Sequence, residues 1–101
     1  MYATTLHLDS EARLRSILSA VYTARGPALR RRASLEAPNG AHAWDVVQDA
    51  FVLVLEHPPA DLSERAVSAA LERAVRVVCN RDAKRAREEE VMRIQLRKQS
   101  V

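Results

Sequence analysis

The stretch Trp44-Asp45-Val46-Val47-Gln48-Asp49-Ala50-Phe51-Val52-Leu53-Val54-Leu55 decides how the chain is read. Val52–Leu55 is an aliphatic run that by composition alone would suit a strand. Yet Trp44, Val47, Phe51, Val54 and Leu55 recur at three- and four-residue spacing, the period of a helix with one buried side. Pro58-Pro59 stops such a helix downstream, and Pro38-Asn39-Gly40 marks a turn upstream. The pattern therefore predicts a helix from about Ala41 to Glu56.

The same period recurs on both sides of this helix. Upstream, Asp9 or Ser10 is a candidate cap, and Leu14, Ile17, Leu18 and Val21 form one apolar face. Gly26-Pro27 reads as the end of that first helix, because Gly suits a C-cap and Pro suits the first turn of the next. A short second helix from Pro27 to about Leu35 presents Arg30, Arg31 and Arg32. Downstream, Asp61 or Ser63 caps a last helix with Glu64 in its first turn. Ala66, Val67, Ala70, Leu71, Ala74, Val75, Val78 and Cys79 line its apolar side. That helix is free to continue past Asn80 to about Leu96, although its apolar residues thin to Val91, Ile94 and Leu96. The expected fold is all-α: a compact bundle of about four helices. It divides into an N-terminal helix (1–26), a central helical unit (27–87) and a charged helical tail (88–101).

Composition agrees. The chain has 101 residues, 48% of them hydrophobic, with only 2 Gly and 4 Pro. That suits one small helical domain and argues against a turn-rich β fold or a disordered chain. The single Cys79 excludes an internal disulfide and a multi-cysteine zinc site. No apolar run approaches the ~18 residues of a membrane span, and the N-terminus carries no signal-peptide pattern. A cytoplasmic location without membrane attachment is therefore the expectation.

Charge is unevenly spread. Residues 1–64 carry six Arg against eight acids, whereas residues 65–101 carry eight Arg and two Lys against five acids. A basic C-terminal part suits a polyanion, most simply nucleic acid. Glu88, Glu89 and Glu90 dilute it and fit better as helical partners of Arg85 and Arg93.

The residue pattern offers little for catalysis. His7, His42 and His57 are scattered and form no HxxxH or HExxH pair, so no metal is expected. Cys79 falls on an apolar helix face, which suits a structural thiol. Two glycines cannot build a phosphate loop. Asp45 and Asp49 stand one helical turn apart, which is common for surface acids. No cofactor and no enzymatic activity are expected.

The segment 42–55 nevertheless resembles region 2.2 of bacterial sigma factors, through the kernel Asp45, two aliphatics, Gln48, the acid Asp49, then Phe51 and aliphatics. Leu29-Arg30-Arg31-Arg32-Ala33 is similar to the basic helix of region 2.1. Residues 69–87 are similar to the region 2.3–2.4 helix of the extracytoplasmic-function group, so the resemblance spans about residues 28–87. It implies a fold like sigma domain 2. It also implies that Asp45, Gln48, Asp49 and Val52 dock on the clamp helices of the RNA polymerase β′ subunit. Arg73, Arg76, Asn80, Arg81, Lys84, Arg85 and Arg87 would contact promoter DNA, with the loop of about 57–65 near the −10 element. The helical spacing is compatible, since Asp45, Gln48 and Asp49 share a face opposite Val47 and Val54.

The chain departs from the family in three ways. No aromatic lies in 69–87, where Ala70 stands at the usual Trp position. Asn80 and Asp82 are two residues apart where the family has four. Only about 14 residues follow residue 87, so no region 4 is expected within the chain. A separate region-4 protein or an anti-sigma factor would then be a partner. Two other classes fit the same residues: a helical protein-interaction module, and a small nonspecific DNA-binding accessory protein.

Overall fold

A computed structural model describes residues 2–36 and 43–100, with side chains described from Ser10 onward. Three helices account for nearly all of it: α1 (Tyr2–Glu36), α2 (Ala43–Glu56) and α3 (Glu64–Gln99). No strand occurs among the described residues, and Val52–Leu55 lies within α2. The fold class is therefore all-α, but with three helices where the sequence predicts about four.

The difference lies at Gly26-Pro27. Pro27 sits inside α1, which passes through it without a break. A proline ring normally clashes with the residue before it and with the carbonyl four residues back. Gly26 has no Cβ, which removes part of the first clash, and it is buried beside Trp44. Leu29 and Ala33, past the proline, are buried in the same core as Leu14, Leu18 and Val21. Packing on both sides of Pro27 thus outweighs the local signal to stop. Asp9 and Ser10 likewise lie inside α1, which begins at Tyr2, so neither is its cap. The turn expected at Pro38-Asn39-Gly40 falls outside the described residues, as does His42, and so does the side chain of His7.

Of the two candidates, Ser63 caps α3. Its Oγ accepts from the Ala66 amide at 3.2 Å, while Asp61 Oδ1 accepts from the Ser63 amide at 2.9 Å and fixes the approach. Both bonds satisfy amides that otherwise lack partners near a helix start. At the other end, Ser100 donates from its amide and its hydroxyl to the Leu96 carbonyl.

One core joins the helices. Val46, Val47, Ala50 and Val54 of α2 meet Leu14, Leu18, Val21, Leu29 and Ala33 of α1 and Val67, Leu71, Ala74, Val75, Val78 and Cys79 of α3. Burying each Val or Leu is worth roughly 1.5–3 kcal/mol, and this sum is what holds the helices together. No polar or charged side chain of the described residues is buried in it. Trp44 and Leu55, expected on the buried side of α2, remain 38% and 42% exposed, because they sit on its flank toward α1. There Trp44 packs on Tyr22 with ring centroids 6.0 Å apart, Tyr22 meets Phe51 edge-on at 5.6 Å, and Arg30 lies over the Trp44 ring at 5.6 Å. Glu72 of α3 ties to α1 through Arg25 at 3.5 Å and Arg32 at 3.8 Å.

The core ends at Cys79, but α3 runs on for twenty residues to Gln99. The Cα radius of gyration is 17.8 Å, against about 13 Å for a compact domain of this length. The expected compactness therefore holds for the three-helix core and not for the whole chain.

Candidate functional site

Two exposed faces carry the residues singled out from sequence. On α2, Val46, Val47, Ala50 and Val54 turn inward, which leaves Asp45, Gln48, Asp49 and Val52 on the outer side. All four are exposed, Val52 at 49%. Glu56 continues the stripe one turn beyond Val52 and is also exposed. Its spacing from Asp49 and Val52 is legible in the sequence, so it belongs with the set. Neither aspartate nor Glu56 forms an ion pair with another described residue. The face therefore offers three carboxylates, an amide and an aliphatic, which suits a basic helical partner with an apolar seam.

On α3, Arg73, Arg76, Asn80, Lys84 and Arg87 follow three- and four-residue steps along the side away from the core. All are exposed, and the four cations make no ion pair with another described residue. The stripe spans about 21 Å of helix at 1.5 Å per residue. Its spacing continues through Val91 and Ile94 to Lys98, and no acid interrupts it. Lys98 is thus a further member.

Arg81 and Arg85 are exposed but do not share that stripe. They turn toward α2 and line a groove of about 230 Å³ together with Asp49, Val52, Glu56 and Asp82. The structure so brings Arg81 and Arg85 beside the acidic face of α2, places Arg73 at the edge of a second groove against the end of α2, and leaves Arg76, Asn80, Lys84 and Arg87 on the outer side of α3. The loop after α2 carries Pro58 and Pro59 and places His57 next to Arg73 and Arg81. The basic cluster of α1 is dispersed: Arg30 covers Trp44, and Arg32 pairs with Glu36 at 3.3 Å and with Glu72.

No three His, Cys, Asp or Glu side chains among the described residues converge on a position for a metal. Cys79 is buried, and burial, then the charges of Glu36 and Asp82, raise its thiol above the ordinary value of 9.0. A thiol held protonated is a poor nucleophile. No helix of the described residues is long and apolar enough to cross a membrane.

No family model, no curated protein and no solved structure matches the chain.

Proposed function

We propose that this chain is a sigma-region-2-like transcription regulator. It docks through Asp45, Gln48, Asp49 and Val52 on the clamp helices of the RNA polymerase β′ subunit, and carries the basic side of α3 toward promoter DNA. The observation that supports this reading is the shared outer face of α2: the residues of the sigma-like kernel that would touch polymerase are exposed together, while its aliphatics Val46, Val47 and Val54 are buried. A helix chosen only for packing has no need of three unpaired carboxylates in one stripe. Asp45 and Asp49 suit charge-assisted pairing with arginines on a partner helix.

The test is calorimetric titration of the full chain with an isolated clamp-helix fragment, beside an Asp45→Ala/Gln48→Ala variant. Binding at micromolar strength that disappears in the variant is the expected result. Equal binding by both proteins, or none by the parent chain, removes the proposal.

One observation favours a second reading. The acid-free stripe Arg73–Arg76–Lys84–Arg87 fits the phosphates of any duplex, which would make the chain a nonspecific nucleic-acid-binding accessory protein. Strong salt-dependent binding to random-sequence DNA, with no affinity for the clamp fragment, would select it.

A further inference from the structure

Of the cations of α3, Arg81 and Arg85 share one groove with Asp49 and Glu56 of α2. Carboxylates thus stand on one wall and guanidinium groups on the other. Asp82, half-buried, adds one acid to the α3 wall. The rest of the lining is apolar: Val52 and Leu53 of α2 and the buried Val78 of α3.

The two walls do not close on each other. Among the described residues, neither Arg81 nor Arg85 forms an ion pair with Asp49, Glu56 or Asp82, although all five border a space of about 230 Å³. Exposed charges gain little by pairing, because holding two long side chains in one geometry costs entropy. Each wall is therefore open to a charge brought from outside. The α2 wall continues back to Asp45, so it runs for about 16 Å, or about three turns of helix. A partner helix lying along it meets α3 on its other flank.

We infer that Arg81 and Arg85 belong to the polymerase-docking surface of α2 rather than to the DNA surface of α3. They select a partner helix with acidic residues along the edge that faces α3 and basic residues along the edge that faces α2. This rests on the docking reading proposed above. Charge complementarity dictates the choice. A uniformly basic helix would suit Asp45, Asp49 and Glu56 but would meet Arg81 and Arg85 as like charges. A uniformly acidic helix would do the reverse. Only a helix with the two signs on opposite edges satisfies both walls, with its apolar residues over Val52 and Leu53. Repulsion built into one wall is a common means by which an interface rejects near-miss partners. Arg76, Asn80, Lys84 and Arg87 do not border the groove, so this docking leaves them accessible.

Calorimetric titration of the full chain with the isolated clamp-helix fragment is the test, and the sign of the effect decides it. Arg81→Gln/Arg85→Gln makes the protein more acidic, which would tighten binding to a helix that is merely basic. The expected result is the opposite: affinity falls roughly tenfold, and falls further in Arg81→Glu/Arg85→Glu. Thermal unfolding of both variants should match that of the parent chain, since both side chains are exposed. Asp45→Ala/Gln48→Ala is titrated alongside. If that variant loses binding while the Gln pair binds as tightly as the parent or more tightly, docking through α2 stands and the role of Arg81 and Arg85 is overturned. A parent chain that does not bind, or an Asp45→Ala/Gln48→Ala variant that binds unchanged, removes the docking reading and this inference with it.

Discussion

Pro27 is the residue at which local and tertiary preferences conflict most. It supplies no amide to the Thr23 carbonyl, and a proline inside a helix costs ~3 kcal/mol relative to alanine. Its side chain is exposed, so nothing is lost in packing when it is removed. Pro27→Ala is therefore expected to stabilise the protein by about 1–3 kcal/mol in urea unfolding, and an unchanged midpoint would contradict a cost of proline at this position. Leu71 is at the opposite extreme. It is fully buried where the three helices converge, and Leu71→Ala should cost about 2–5 kcal/mol by the same measurement. Cys79 gives a pH signature. Its folded thiol titrates above the unfolded value of 9.0, chiefly because of burial. The unfolded chain then loses this proton first as pH rises. The thiol's contribution to stability is present below pH 9.0 and declines above it. Stability of the parent chain should fall more steeply through that alkaline range than that of Cys79→Ala, measured at matched pH values.

At the level of elements, α3 depends on its start. Ser63 holds the Ala66 amide, and Asp61 holds the amide of Ser63. Ser63→Ala is expected to cost about 0.5–2 kcal/mol, whereas a Ser63→Gly change should cost only a few tenths. The outer side of α3 has its own prediction. If it binds duplex through phosphates, each of Arg73, Arg76, Lys84 and Arg87 changed to Gln should lower the salt slope of binding by about one. Arg81→Gln and Arg85→Gln should lower it less, since those side chains turn into the groove beside Asp49 and Glu56. Fluorescence anisotropy across a salt series measures both. The expectation for α2 came from its spacing together with the Pro38-Asn39-Gly40 turn and the Pro58-Pro59 stop, and its observed bounds, Ala43–Glu56, lie close to the predicted Ala41–Glu56.

For the molecule as a whole, one core and one projecting helix define what it presents to partners. Among the described residues, the ion pairs between helices are partly exposed. Glu72 with Arg25 and Arg32 is worth no more than about 1 kcal/mol at that exposure. Stability instead follows the apolar seam. The sequence by itself determined the helical class, most of the apolar side of α3, the stop at Pro58-Pro59 and a cap at either Asp61 or Ser63, because each follows from residue type and a fixed helical period. It left the helix count wrong. Gly26-Pro27 is a stop by local rules, and only the burial of Leu29 and Ala33 in the common core keeps the chain helical through it. It placed Trp44 and Leu55 inside, whereas both remain more than a third exposed. It grouped seven polar residues on one helix, and only the packing of α2 on α3 sets Arg73, Arg81 and Arg85 against grooves beside α2 while Arg76, Asn80, Lys84 and Arg87 stay outside. Periodicity reports which residues share a side of a helix. Which neighbour covers that side, and where cover ends, is decided by long-range contacts that no local pattern encodes.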